Sequence, residues 1–292
     1  MKATEVEMGT SQGEGLLFKA PVLTASEFSD IATLARHHFG VELGAGKEQL
    51  VTARLTKLMR RCGFRCFRDY FRNLKSDATG EALIQLIDAL TTNHTSFFRE
   101  REHFDFLLEN VFPHWNSARA MRIWSAASST GEEPYTIALI GREYFASAGK
   151  CVPFILASDI STDALKAART GTYRSERLQG MIAPWLQKHL LRGEGRWEGW
   201  YRMKPEVMAM VEFRRINLIE SLPGVGAFDA IFCRNVMIYF SHGTQAEVVK
   251  RLTACLSPGG YLFVGHSESL TGMQHGLEHI RPAIYRKRGA RP

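Results

Sequence analysis

Runs of apolar residues that end on a polar one, with helical patterns between them, constrain this chain more than any other feature. Residues 121–126 (Met-Arg-Ile-Trp-Ser-Ala), 154–159 (Phe-Ile-Leu-Ala-Ser-Asp), 211–216 (Val-Glu-Phe-Arg-Arg-Ile), 228–233 (Phe-Asp-Ala-Ile-Phe-Cys) and 261–264 (Tyr-Leu-Phe-Val) read as strands, and 283–285 as a terminal edge strand. Helical patterns follow at 134–140, 164–169 and 244–256, the last stopped by Pro258-Gly259-Gly260. Thr130 and Glu133 are spaced for a capping box, with Pro134 in the first turn. Strands alternating with helices make a doubly wound α/β domain, here 117–292, with a parallel sheet covered on both faces. Such sheets bind ligands beyond the carboxyl ends of their strands. Ser125, Asp159, Asn217, Arg234 and Asn235 are site candidates by that position alone.

The interval 171–208 breaks the alternation. Its glycine-spaced run Arg192-Gly193-Glu194-Gly195-Arg196-Trp197-Glu198-Gly199 predicts a small inserted β-subdomain, a short hairpin system on a tight turn. Residues 21–91 are of another kind, four short amphipathic helices at 24–39, 47–62, 66–74 and 81–90. The second buries Val51, Leu55, Leu58 and Cys62, and a quarter turn away carries Arg54, Lys57 and Arg61. That basic stripe reads either as a solvated face or as a docking surface for acidic helices or phosphates. The net charge of +7 favours an acidic partner. No aromatics are interleaved with the exposed basic residues, which disfavours a base-stacking nucleic-acid platform.

No apolar run approaches the ~20 residues needed to span a bilayer. Residues 1–20 lack the apolar core of a signal peptide and read as a disordered lead-in. Five cysteines in a chain of 292 residues suit a reducing cytoplasm, and Cys62 and Cys66 lack the neighbours that zinc requires.

Between the halves lies Leu90-Thr-Thr-Asn-His-Thr-Ser-Phe-Phe-Arg-Glu100, polar, then doubly aromatic, then charged. It reads as a capped helix boundary with Phe97 and Phe98 as anchors, or as the wall of a small-molecule site within a 92–116 connection. Asp159 is similarly a helix cap or the acid that takes a ribose hydroxyl pair. The turn after the first strand has one glycine where a pyrophosphate needs several, so NAD is disfavoured. S-adenosylmethionine has no phosphate; Glu133 suits its cationic amino group and Arg99 its carboxylate.

These stretches together resemble the CheR family of chemotaxis-receptor glutamate O-methyltransferases. The resemblance is carried by Thr91-Thr-Asn-His-Thr-Ser-Phe-Phe-Arg-Glu100, Trp124-Ser-Ala-Ala-Ser-Ser-Thr-Gly-Glu-Glu-Pro-Tyr135, Ala157-Ser-Asp-Ile160, the segment from Phe228 to Phe240 and Gly265-His-Ser-Glu268. It implies a Rossmann-like S-adenosylmethionine-binding α/β domain with an all-α N-terminal domain and the inserted β-subdomain. By position, Asn93, Thr95, Arg99, Glu133, Asp159, Asn217, Leu218, Arg234 and Asn235 would contact S-adenosyl-L-methionine, leaving S-adenosyl-L-homocysteine as product. Arg99 and Tyr239 would stand near the transferred methyl; no metal is implied. Arg54, Lys57 and Arg61 would dock on the acidic methylation helices of chemoreceptor cytoplasmic domains. Arg192, Gly193, Gly195 and Gly199 match the loop of members that bind a receptor's C-terminal pentapeptide.

Two other functions compete. A nucleic-acid methyltransferase would fit the charge, but the Asn/Asp-Pro-Pro-aromatic loop of base N-methylation is absent at Arg234-Asn235-Val-Met-Ile-Tyr239. A non-catalytic receptor-binding adaptor would not need a candidate residue intact at every cofactor position.

Overall fold

The computed structural model describes residues 23–115, 118–222 and 224–289; the lead-in expected at 1–20 lies outside the described residues. Four helices come first: α1 (Ala25–Phe39), α2 (Glu48–Cys62), α3 (Phe67–Ser76) and α4 (Glu81–Leu90). Thr24 and Glu27 close a capping box on α1, and left-handed Gly40 and Gly63 end α1 and α2. Ile31, Phe39, Val51, Leu55, Leu58, Phe67, Tyr70, Leu86 and Leu90 meet in one core.

Next come α5 (Glu102–Phe106), continued by a π-helical turn over Leu107–Val111, then β1 (Arg122–Ser125), α6 (Glu132–Ser147), β2 (Phe154–Asp159) and α7 (Thr162–Thr170). The insertion holds β3 (Thr172–Arg174), α8 (Ala183–His189), β4 (Leu190–Arg192), β5 (Trp200–Met203) and α9 (Pro205–Met208). The chain ends with β6 (Val211–Arg215), β7 (Phe228–Cys233), α10 (His242–Cys255), β8 (Leu256–Val264), β9 (Leu277–Arg281) and β10 (Ile284–Lys287).

The main sheet has the order β6-β2-β1-β7-β8-β10-β9. Pairs among the first five strands are parallel, and β10 runs antiparallel to both β8 and β9. From β1 the chain builds outward through β2 and β6 on one side, then through β7 and β8 on the other. The order therefore reverses at the β1–β7 pair, and a ligand crevice is expected above Ser125 and Cys233. Side chains alternate as a pleat requires. Ile123, Ile155, Phe232 and Phe263 join the layer of α5 and α6. Trp124, Leu156, Ile231, Cys233 and Leu262 join the layer of α10.

The structure corrects several sequence expectations. β10 is not the edge strand; β9 lies outside it, and its mostly exposed Leu-Glu-His-Ile-Arg shows no apolar run. β8 starts at Leu256 and takes Pro258-Gly259-Gly260 into the strand, where its register with β7 shifts. α6 runs on to Ser147 because Phe145 is fully buried. Thr130 and Glu133 form no capping box. Left-handed Gly131 is the N-cap and the Thr130 hydroxyl bonds Glu132, which leaves Glu133 facing the strand ends. The insertion is a three-stranded antiparallel sheet, β3-β5-β4, with helices attached. Among the described residues no helix is long and apolar enough to cross a membrane, and the five cysteines are free.

Candidate cofactor and active site

A cavity of about 110 Å³ opens at the reversal of strand order, where the helical and α/β segments meet. All nine cofactor candidates and Tyr239 line it. Ser125 is instead fully buried beneath the site, donating a 2.7 Å hydrogen bond to Glu133.

The junction 91–100 divides its work. Thr91, Thr92, Asn93, His94, Thr95 and Arg99 line the cavity. Phe97 and Phe98 turn the other way, Phe97 edge-on to Tyr173 at 5.0 Å and Phe98 against Trp185 at 5.7 Å. One segment thus anchors through Phe97 and Phe98 and lines the cavity through its polar residues. Arg177 of the insertion adds ties to Glu132 and to the Thr95 carbonyl.

Arg234 is the electrostatic centre of the wall. Its side chain is 2% exposed and bridges Glu100 and Glu133, each at 2.9 Å, while also donating to the Arg99 carbonyl. Four of its five N–H donors are thus committed to the protein, and it lines the cavity as a strut. Glu100 also accepts from the Asn235 amide at 3.0 Å and the His266 backbone N–H. Burial pushes the Glu100 carboxyl up, but Asn235 and Arg234 outweigh that and hold it down to about 2. Burial pushes Glu133 up instead, against the pull of Arg234 and Ser125. A carboxylate so placed has reason to accept a second cation.

Asp159 ends β2 with one carboxylate oxygen on the Ser129 N–H at 2.8 Å and the other on the Ser161 N–H at 2.9 Å. Burial pushes this carboxyl up, and those two N–H groups with that of Ile160 pull it back. Each oxygen keeps lone-pair capacity toward the cavity. The cap on α7 is the Ser161 hydroxyl, so Asp159 is not the side-chain cap. Asn217 follows β6 and donates to the His38 carbonyl at 2.7 Å, pinning α1 across the cavity. Leu218, Ile160, Ile216 and Val236 supply an apolar wall. Asn93 reaches Ser161 at 3.4 Å, and its carbonyl accepts the Ser129 hydroxyl. Tyr239 closes the far side, its carbonyl accepting the Glu42 N–H at 2.8 Å.

Phe98, Glu100, Ser129 and Asn235 all hold left-handed φ, at 56°, 53°, 48° and 58°. Such conformations cost about 1–3 kcal/mol each and persist only where neighbours over-determine them. The fifth non-glycine case among the described residues, Ala283, belongs to the β9–β10 hairpin.

Sequence reasoning did not assign Glu100, Ser129 or Glu268 a role. Glu100 and Glu268 lay inside the quoted motifs, and a buried carboxylate set in a motif block was the available signal. His103, 1% exposed with neither ring nitrogen hydrogen-bonded, gave no signal in sequence. Glu100, His103 and His266 bring ligand-type atoms within 4.8 Å of one another. The Glu100 oxygens there already accept from Arg234, Asn235 and His266, and the guanidinium 2.9 Å away opposes a cation.

The basic stripe on α2 is not three equal exposed cations. Arg54 turns onto the end of α4, bonding the Leu90 carbonyl at 2.6 Å and the Thr92 hydroxyl at 3.0 Å. The last carbonyls of a helix lack intrahelical partners, so the guanidinium has a ready target there. Arg61 leans to 4.0 Å from Asp163 on α7, and Lys57 is exposed. In the insertion, Arg192 ends β4 and Gly193, Gly195 and Gly199 form the turn into β5. A Cβ at Gly193 would overlap the Trp197 carbonyl. Being at the end of the β3-β5-β4 order, β4 has an unpaired edge, and Leu191 and Trp197 beside it are about half exposed.

Two family models match the chain: CheR methyltransferase, all-alpha domain, over residues 26–91, and CheR methyltransferase, SAM binding domain, over residues 93–285. A chemotaxis protein methyltransferase 2 of Pseudomonas aeruginosa is 41% identical over 263 residues, covering 90% of this chain and 93% of the relative. A chemotaxis protein methyltransferase of Klebsiella aerogenes is 40% identical, covering 93% of each chain. That of Escherichia coli is 39% identical, covering 90% of this chain and 91% of the relative.

Proposed function

The chain belongs to the CheR methyltransferase family, and on that premise we propose that it methylates glutamate side chains of chemoreceptors, with S-adenosylmethionine as donor and glutamate methyl esters as product. The observation that carries the reading is the cavity itself. Asp159, Glu133, Arg99, Asn235 and Tyr239 converge on it from four separate segments, and an apolar wall faces them.

The residues fit the donor. Ile160, Ile216, Leu218 and Val236 offer a slot for an adenine ring, and the free lone pairs of Asp159 suit two ribose hydroxyls. Glu133, pushed up by burial, suits an ammonium group, and Arg99 suits a carboxylate. When bound, S-adenosylmethionine supplies a methyl carbon on a cationic sulfur, open to attack by an ionised carboxylate.

The incoming glutamate has an ordinary pKa near 4.3 and is already an anion at neutral pH. No side chain here need remove a proton, so the chain contributes alignment and exclusion of water. Arg99 is held by the His94 carbonyl at 2.9 Å, at the junction between Thr95 and Glu100. Tyr239 stands across the cavity on the short turn after β7. These two are the groups that orient the carboxylate against the methyl.

Docking is assigned to Lys57 and Arg61 on α2, with Arg54 holding the α2–α4 contact from which they project. Attraction between this face and acidic receptor helices weakens with salt. A receptor C-terminal peptide fits the open edge of β4 by strand addition, beside Leu191 and the Arg192–Gly199 turn. Tethering there would raise the local concentration of methylation sites.

The test is incubation with methyl-tritiated S-adenosylmethionine and a receptor cytoplasmic domain, followed by alkali. Release of volatile tritiated methanol is the expected result. Alkali-stable label, label on nucleic acid, or no transfer at all would overturn the reading.

A further inference from the structure

We propose that Glu268, which does not line the cavity, is the positioning residue for the cofactor-facing loop that follows β7. This goes beyond the function proposed above and rests on it only for the identity of the ligand. Glu268 is 8% exposed, and four backbone N–H groups converge on its carboxylate. One oxygen accepts from Met237 at 2.7 Å and Ile238 at 3.2 Å; the other accepts from Asn235 at 2.8 Å and Gly265 at 2.6 Å.

Three of those donors belong to the loop that carries Asn235 and Tyr239, and the fourth to the turn after β8. The carboxylate thus joins two strand ends that no ladder hydrogen bond joins at this height. Asn235, φ 58°, is the residue of this loop that takes the left-handed conformation. With its N–H held by Glu268, its side-chain amide reaches Glu100. The site is built closely enough that a Cβ at Gly265 would lie 2.5 Å from the Asn235 amide nitrogen and 2.8 Å from Glu268. Gln245 secures the other end of the loop through the Met237 and Phe240 carbonyls, so both ends are fixed by side chains outside the cavity.

A carboxylate is chemically required here. Four donors need acceptors on both oxygens, whereas an amide would replace one oxygen with an NH2 aimed at two N–H groups. Glu268→Gln changes no atom that touches the ligand, so its effect must pass through the loop.

The experiment is calorimetric titration of the full-length chain with S-adenosylhomocysteine, beside thermal melts. The proteins are wild type, Glu268→Gln, Gly265→Ala and, as a destabilised control, Arg119→Ala, which breaks the Asp229 pair at the opposite end of the sheet. Glu268→Gln and Gly265→Ala should each weaken binding at least 10-fold. Arg119→Ala should lower the melting temperature yet bind within twofold of wild type. Binding by a folded Glu268→Gln within threefold of wild type would overturn the proposal. So would a loss in Arg119→Ala as large as in Glu268→Gln, since the effect would then be general instability. If Glu268→Gln does not fold, Gly265→Ala carries the same criterion. Wild type without affinity would instead remove the cofactor reading, and this proposal with it.

Discussion

Replacing Glu100 by glutamine should separate the stability contribution of the ion pair between the 91–100 junction and the end of β7 from everything else in the wall. The carboxylate is 14% exposed and accepts from Arg234, Asn235 and His266. Burial raises its pKa, the Asn235 and Arg234 contacts lower it further, and the balance is a drop from 4.5 to about 2. At 1.36 kcal/mol per pKa unit that drop is worth about 3 kcal/mol of stability at neutral pH. The sign follows from the depressed value. The contribution is fully present above the unfolded pKa of 4.5 and is lost as pH falls toward 2. Near pH 3 about half remains. Glutamine keeps the size and one acceptor, and Arg234 retains Glu133, so the variant should lose about 2–3 kcal/mol at pH 7 rather than the full 3–5 of a broken buried pair. Urea unfolding followed by tryptophan fluorescence at pH 7, 5 and 3 measures this. His103, pushed down to about 3 by burial and then by Arg234 and partly held up by Glu100, also favours unfolding in acid. This cancels in the difference at pH 7 and 5, where the folded imidazole is neutral in both proteins, and weighs slightly more on the variant at pH 3, where the Glu100 carboxylate is gone. Equal stability of the two proteins at pH 7, or a difference that stays constant down to pH 3, would refute the reasoning.

Asp159→Asn should weaken S-adenosylhomocysteine binding by about 10–100-fold, because an amide cannot accept both N–H groups and the ribose hydroxyls; calorimetry within twofold of wild type would remove Asp159 from the site. Arg99→Ala should lower both cofactor affinity and turnover, whereas Tyr239→Phe should lower turnover more than affinity; a wild-type rate for the latter rules out a role for its hydroxyl. Arg54→Ala should cost about 1–2 kcal/mol of stability through the uncapped α4 carbonyls. Arg61→Glu should leave stability near wild type and weaken receptor association, most at low salt; equal association at all salt concentrations counts against docking through α2.

The strand ends were legible because a strand buried on both faces must be apolar and must stop where it meets water. That gave β2 and β7 to the residue and pointed to Asp159 and Asn235. β9 was not legible, because an edge strand that is mostly exposed has no apolar period to show. The residues of the wall were named, but their division of labour was not. Arg234 was named for its place at a strand end but not as the strut between Glu100 and Glu133, which lie 134 and 101 positions away, and no local pattern records such a pairing. Arg54 likewise looked like one member of a surface stripe; the α4 carbonyls that claim it are 36 residues distant. Phe98 and Glu100 depart from the backbone preferences of their residue types, so propensity could not have placed them.

Asn217 reaches across the cavity to the His38 carbonyl, and Phe39 and Val41 lie beside that contact on the cavity wall. The boundary between the helical and α/β segments, near residue 92, therefore runs through the cavity rather than beside it. A fragment beginning at residue 93 would carry every strand of the sheet and still present a trough open along one side. On the function proposed above, affinity for the donor is a property of this joint, since Phe39 of α1, Leu90 of α4 and the 91–95 segment all stand on the cavity wall.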